Sequence, residues 1–370
     1  MDQVPLEAAD EAAEESTIAT EDSSVATEAA SEATEENPVA HDTAATKVTV
    51  SASTTLDADL IRQGEDLFSE EQYFRAAEAL SKVSDRSLLE SKHEFILQLA
   101  SQGQAMMQEL LTPNPEDSGW KKQGESHGHR DTMIHYKVHD DNSLLCRIET
   151  PIESSLLLPL VSVLNESDLY ETWMPSWRFP RLGVKKSAML AEMGRGHQVV
   201  QVVIQMPFPF CDRECIQHAF AVDSIDQDNA IVIKIKNLDT GKHFEDAVDI
   251  PEADKGVKRI DFEAGMLIRA CPPDHHLLEN SKGEYPAGEK LLLLTLVQQV
   301  DAHVSGIPLS LVNFFTRTVL GQFWGSLLQV AEGVRDGKRP LHKKAIEGKT
   351  ELYGWIDDRI KIMFDKIDKA

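Results

Sequence analysis

Two histidine pairs are the residues of this sequence whose type and spacing could most directly do chemistry. "HGH" covers His127–His129, and "HH" is His275 and His276. Imidazole nitrogens bind zinc, but a site needs three or four ligands, and neither pair has an acidic or Cys partner at ligand spacing. Both pairs also stand in hydrophilic turn sequences. The sequence therefore predicts surface histidines and no bound metal.

The four cysteines, Cys146, Cys211, Cys215 and Cys271, offer little more chemistry. Cys211 and Cys215 form C-x3-C, but no second pair accompanies them as a structural zinc site requires. They are interpreted as small, free, buried thiols. Because the N-terminus shows no secretory apolar segment, a reducing, cytoplasmic location is expected.

Motifs of the common enzyme classes are absent from the sequence. It contains no G-x-S-x-G elbow, phosphate-binding Walker loop, H-E-x-x-H or dinucleotide fingerprint. A protein that is not an enzyme and needs no cofactor is therefore expected. Fold alone would not exclude a hydrolase or a cyclase.

The charge of the chain is strongly acidic and unevenly distributed. It has 62 Asp and Glu against 37 Lys and Arg, a formal charge of -25. No basic stripe is present, so a nucleic-acid partner is not expected. Residues 1–56 hold 13 acidic residues, one Lys and almost no large apolar side chains, which predicts a disordered acidic tail.

Residues 57–112 have a helical pattern. Leu60, Gly64 and Leu67 would face Ala76 and Leu80 across two short helices, and the small residues would allow close approach. This resembles one tetratricopeptide-type hairpin, followed by a helix over 88–111. Two interpretations stay open: an extension packed on the main domain, or a surface for a protein partner through residues 57–111.

After the breaker Thr112–Gly119 the apolar period changes from 3.6 to 2, which predicts strands. A helical insert near 152–166 interrupts them. Many antiparallel strands closed by helices indicate the α+β class, with a curved sheet of about nine strands. The predicted strands are 120–126, 131–138, 143–150, 184–193, 198–206, 213–223, 230–237, 257–269 and 289–301.

A long helix from Pro308 to about Ala331 is apolar over an unusually broad arc. Its two flanking apolar stripes exceed what a surface helix buries on one side. Gly321 and Gly325 would leave room beside it. The helix either fills a solid core or closes an apolar cavity. In the cavity interpretation its candidate lining residues are Val312, Phe315, Val319 and Phe323.

Several motifs resemble the START (steroidogenic acute regulatory protein-related lipid transfer) domain family. In "LVQQVDAHVSGIPLSLVN" a strand ends at Asp301, a turn carries Gly306, and Ile307-Pro308 opens the last helix. "MPFPFCDRE" resembles the family's Pro-containing Arg-Asp segment, although Glu214 replaces the usual Asp. "YETWMPSW" resembles its Trp after the helical insert. The resemblance covers about residues 118–335.

The resemblance implies a helix-grip fold with a tunnel for a single lipid of unknown class. It implies non-catalytic lipid binding and transfer between membranes, with transient membrane contact. It also places a gating loop at "PFPF", candidate residues Pro207, Phe208, Pro209 and Phe210. A chaperone-like or protein-interaction module on the same scaffold is the alternative.

A lipid head group would need polar partners in such a tunnel, since unpaired buried polar atoms are costly. Arg147 and Glu149 are two apart on one strand, so they share a face. They point either outward as a solvated pair or inward as a buried pair. The other polar candidates on strands are Gln201, Gln205, Arg213, Gln217 and His218.

The last predicted element is an amphipathic helix within residues 345–369. Its apolar stripe includes Leu352, Trp355, Ile360 and Met363, and its other face mixes acids and bases. It should dock on the protein body rather than anchor in a membrane. The helices of residues 57–111 are its expected partner.

Overall fold

The computed structural model describes residues 43–369 except 112–118, 128, 139–143, 180, 239–247, 280, 282–284, 286–287 and 301–317. The chain forms two compact units, Met1–Val48 and Thr49–Ala370. The helices are α1 (Thr43–Ser69), α2 (Tyr73–Ser81), α3 (Ser91–Leu110), α4 (Leu157–Asn165), α5 (Ile225–Asp228), α6 (His276–Glu279), α7 (Leu320–Arg335), α8 (Pro340–Gly348) and α9 (Thr350–Ile367). Within this part of the chain, none is both long and apolar enough to cross a bilayer.

Ten strands form one sheet: β1 (Lys121–His127), β2 (Asp131–Val138), β3 (Leu144–Glu153), β4 (Gly183–Gly194), β5 (His197–Gln205), β6 (Asp212–Ser224), β7 (Ala230–Asn237), β8 (Val257–Arg259), β9 (Glu263–Ala270) and β10 (Leu291–Val300). Their order is β1-β2-β3-β10-β9-β7-β6-β5-β4, and neighbours on this path are antiparallel. The predicted α+β class with a large antiparallel sheet is confirmed.

One predicted strand, 257–269, is divided in two. β8 pairs in parallel with the start of β6, and the chain then crosses to β7 as β9. At the crossing, the Phe262 amide donates to Asn237 Oδ1 at 2.8 Å. A backbone amide that bonds a side chain cannot also join a ladder, so the strand ends there.

The segment assigned to the disordered tail overlaps α1. That helix begins at Thr43, inside residues 1–56, and residues 1–42 lie outside the described part of the chain. Farther along, α1 and α2 approach as closely as predicted, since a Cβ added at Gly64 would lie 2.7 Å from Leu80 Cγ.

The two faces of the sheet carry different helices. We call the face under α2 and α3 the outer face; there Met106 and Leu110 of α3 pack with Val232 and Leu267. The apolar side of α3 is thus covered by the sheet. This packing is that of the helical extension on the main domain, the first of the two interpretations of these helices.

We call the opposite face, which packs against α4, α7 and α9, the inner face. Trp324 of α7 donates its Nε1–H to Thr150 Oγ1 on β3 at 2.8 Å. Phe323 of the same helix stacks at 5.7 Å on Trp173, which ends the segment packed on β4. One helix therefore contacts both β3 and the segment against the far edge strand, which requires the sheet to curve around it.

The C-terminal helix α9 packs on the inner-face core, with Ile360 and Met363 buried. Its neighbours are α4 and α5. The expectation that residues 57–111 would cover it is wrong, because that extension lies on the outer face. Arg359 also forms ion pairs with Asp223 and Asp226, so part of its polar face binds the body as well.

Candidate functional site

The inner face on β6 and β7 is apolar but only partly covered. Ile231, Ile233 and Ile235 of β7 pack on the inner-face core and yet remain partly exposed. Opposite Ile233 and Ile235 on β6 are the small residues Ala221 and Ala219, whereas Ile231 is opposite Asp223, which pairs with Arg359 of α9. On the outer face of the same two strands, by contrast, three apolar side chains are completely buried: Val222, Phe220 and Val232. Accessible apolar surface therefore remains on the inner face.

The helix α7 belongs to the same inner-face core. A Cβ added at Gly321 or Gly325 would meet no atom within 4 Å, but Gly325 is exposed, so this space is open to solvent rather than enclosed by the sheet. Val319 and Phe323 are partly exposed at the start of the helix. The other two candidate lining residues, Val312 and Phe315, lie outside the described residues.

Polar candidates on the inner face are Arg213 and Gln217 of β6, which alternate with the outer-facing Phe220 and Val222. Arg213 is 5% exposed. Its Nη1–H groups donate to the Cys211 carbonyl at 2.7 Å and to Cys211 Sγ at 2.8 Å, while Nε–H has no partner. Among the described residues no carboxylate forms an ion pair with this buried cation.

Arg147 and Glu149 form a buried charge pair, as one of the two expectations had it, but on the face of the sheet opposite the apolar wall. They lie on the outer face, yet they are 1% and 3% exposed because α3 covers them. Arg147 Nη2–H donates to the Leu110 carbonyl at 2.9 Å and to Glu149 Oε1 at 2.8 Å. Burial alone would raise the pKa of Glu149, but the Arg147 charge outweighs it and lowers that pKa. The pair caps the end of α3 rather than lining the inner wall.

Gln201, Gln205 and His218 also lie on the outer side. Gln201 Nε2–H donates to Glu214 Oε1 at 2.5 Å, and Gln205 Oε1 accepts from Arg181 Nε–H at 2.8 Å. His218 is fully buried, and its ring meets that of His197 edge to face, with centroids 5.3 Å apart. None of the three points toward α7, because alternation on β5 and β6 places them opposite the inner residues.

The loop Pro207–Phe210 lies between β5 and β6 at one edge of the sheet, and its Phe208 is 97% exposed. Phe208 therefore does not fill the core; Phe210 is partly buried. The adjacent loop before β4 exposes Phe179 at 94%. Sequence reasoning missed Phe179, although "WRFPRLGVKK" shows an aromatic ring among cations.

Cations surround the two exposed rings. The two loops are neighbours because Gly183 pairs with Gln205. The exposed basic residues there are Arg178, Arg181, Lys185 and Lys186. Asp212 pairs with Lys185 at 3.1 Å. This edge, which we call the aromatic-basic edge, is locally positive in a chain of charge -25.

The chain was compared with family models, curated proteins and solved structures. Neither a family model nor a curated protein matches the sequence. Among solved structures, human STARD10 is 14% identical over 70% of this chain and 87% of that chain, with a TM-score of 0.46. Human StAR-related lipid transfer protein 5 is 12% identical over 64% and 97%, with a TM-score of 0.43. A STAR-related lipid transfer protein fragment from Xanthomonas axonopodis is 15% identical over 58% and 99%, with a TM-score of 0.41.

Proposed function

We propose that this protein binds one lipid between the inner face and α7 and carries it between membranes without catalysis. The observation that supports this most directly is the accessible apolar wall of Ile231, Ile233 and Ile235, next to fully buried residues on the outer side of the same strands. A folded protein rarely leaves such surface without a ligand or partner.

The energetics of lipid transport favour an enclosed site. Each methylene exposed to water costs about 0.8 kcal/mol, so a sixteen-carbon chain costs on the order of 12 kcal/mol. Apolar strand surface on one side and a helix on the other would remove that cost. The partly exposed start of α7, at Val319 and Phe323, is the side from which chains would enter.

Arg213 would hold the polar end of the lipid. A buried guanidinium that pairs with no carboxylate among the described residues would be stabilised by an anion, and it donates well to phosphate or carboxylate. Its bonds to Cys211 point it toward the loop Pro207–Phe210. The head group would then lie at the aromatic-basic edge, with the chains along the isoleucines.

The aromatic-basic edge is the proposed site of transient membrane contact. Aromatic rings partition into the bilayer interface, and nearby Lys and Arg are attracted to anionic lipids at about 1 kcal/mol each. Phe179→Ala with Phe208→Ala should reduce sedimentation with phosphatidylserine vesicles. Leu341→Ala, at a half-exposed Leu on α8, is the control. Equal binding of both variants would contradict this contact site.

Two further aspects stay proposals. Among the described inner-face residues no nucleophile is hydrogen-bonded to a base, so a carrier is favoured over an enzyme of this shape. The four free cysteines fit a cytoplasmic location.

A protein partner would have to use the sides of α1 and α2 that the sheet does not cover.

The carrier function is tested by lipid capture. The full chain, purified from cells, should contain about one extractable lipid and take up a fluorescent phospholipid. Ile233→Trp should reduce uptake several-fold by filling the site, whereas Ile362→Trp, the same change at an exposed position of α9, should not. Absence of any bound lipid, or equal uptake by the two variants, would overturn the proposal.

A further inference from the structure

A histidine pair that the sequence assigns to the surface lies against a buried carboxylate. Glu149 on β3 and His275 and His276 at the start of α6 each offer one ligand atom, and these atoms lie within 4.8 Å of one another. Glu149 is 3% exposed, His275 is half-buried and His276 is exposed. The three residues are brought together because α6 packs on β2 and β3.

We propose that Glu149, His275 and His276 form a site for a divalent transition metal, with Zn²⁺ as the best fit. Two imidazoles and one carboxylate are a common zinc ligand set, and a solvent molecule completes the tetrahedron. The exposed side of His276 leaves room for that solvent ligand.

The surroundings of the three residues favour zinc over harder cations. Arg147 donates to Glu149 Oε1 at 2.8 Å, which leaves the carboxylate able to bind a metal and fixes its orientation, as outer groups do in metal sites. The positive charges of Arg147 and Arg269 repel any cation at this site, which weakens a cation that is bound only through the carboxylate oxygens. Nitrogen ligands therefore have to supply much of the affinity, which selects Zn²⁺ over Mg²⁺ and Ca²⁺.

The histidines can rotate to a metal at small cost. The described side-chain bond of His275 is a long one, from the Leu277 amide to Nδ1 at 3.4 Å. Its ring otherwise stacks on His276, with centroids 4.4 Å apart. Occupancy would fasten the segment between β9 and β10 onto the outer face of β3, opposite the proposed lipid site.

The test is metal titration of the full chain after treatment with a chelator. One Zn²⁺ per chain should bind, Co²⁺ should give the absorption of a tetrahedral site, and Zn²⁺ should raise the melting temperature. His276→Gln should weaken binding at least about tenfold, a loss as large as that from removing an outer-shell partner. Because His276 is exposed, this variant should fold; Glu149→Gln is less suitable, since it leaves Arg147 buried without its carboxylate.

His129→Gln is the matched control, because this exposed histidine also lies beside a carboxylate, that of Glu332, but far along the chain from α6. It should bind Zn²⁺ as the wild type does. The proposal is overturned if the wild type takes up no stoichiometric Zn²⁺, or if His275→Gln and His276→Gln bind it unchanged. Lipid uptake should be equal in all variants, so the outcome does not depend on the carrier function.

Discussion

At the scale of single residues, the Arg147–Glu149 pair carries the largest expected effect on stability. Arg147→Met leaves a buried carboxylate without its cation and two α3 carbonyls without a donor, so unfolding free energy should fall by about 3–5 kcal/mol. The double variant Arg147→Met, Glu149→Leu should lose less, because no charge stays buried. Urea denaturation measures both. A smaller loss of unfolding free energy in the single variant than in the double variant would contradict this prediction.

Residue-scale chemistry also predicts a pH dependence. Burial, then repulsion by His218, lowers the pKa of His197 to about 3. The unfolded value is about 6.5, so between these values the unfolded state binds more protons. The free energy of unfolding should therefore decrease as the pH is lowered below about 6.5, by about 1.4 kcal/mol per pH unit for this group.

His197→Phe should flatten that slope, since the ring keeps its contacts with Tyr73 and Phe220 but cannot bind a proton. Urea midpoints of wild type and variant at pH 7 and pH 5 provide the measurement. An identical decrease in both proteins would show that another group sets the acid sensitivity.

At the scale of elements, the docking of α3 on β9 depends on a missing side chain. A Cβ at Gly265 would lie 2.0 Å from Met106 Sδ. Gly265→Ala should thus destabilise by about 1–3 kcal/mol, as overpacking does. Adding Met106→Ala should remove most of this penalty, which a double-mutant cycle measures.

The same substitution at an open position is the control. Gly325→Ala on α7 meets no neighbour, so it should leave stability equal or raise it by up to about 1 kcal/mol through helix propensity. Independent, additive effects of Gly265→Ala and Met106→Ala would show that α3 is not held as described.

The C-terminal helices are also expected to be structural. Truncation after Arg339 removes α8 and α9, whose buried residues include Leu352, Tyr353, Ile360 and Met363. At about 2 kcal/mol for each large apolar side chain, the loss should reach several kcal/mol or cause aggregation. Calorimetry measures the loss of stability, and sedimentation with vesicles measures membrane binding by the truncated chain. A truncated chain that is equally stable but no longer binds vesicles would identify α9 as a membrane element.

At the scale of the whole molecule, the distribution of charge predicts how the tail acts. The 13 acidic residues of the N-terminal segment all lie within residues 1–42 and make up about half of the net charge. Deleting residues 1–42 should leave the melting temperature nearly unchanged, because the segment has little apolar surface to bury. It should also strengthen binding to anionic vesicles at low salt, an effect that salt removes. A large decrease in melting temperature would contradict this.

The sequence by itself determined the type and order of the elements. The period-2 pattern located β2 and β7 with their observed ends, and the 3.6-residue pattern located α3 and α9 within a few residues. These patterns are local, since each strand or helix buries one side whatever its partner is. The α+β class followed from the same order of strands and helices.

Only the tertiary structure decided which side of each strand meets which partner. Arg147 and Glu149 shared a face, as spacing required, but that face was covered by an N-terminal helix about 37 residues away in sequence. His275 and His276 had no acidic neighbour in sequence, and the fold supplied Glu149. Packing between distant elements depends on the path of the whole chain. When both faces of a sheet are covered, each strand carries apolar residues on both of its sides, so the local periodicity does not show which side meets which partner.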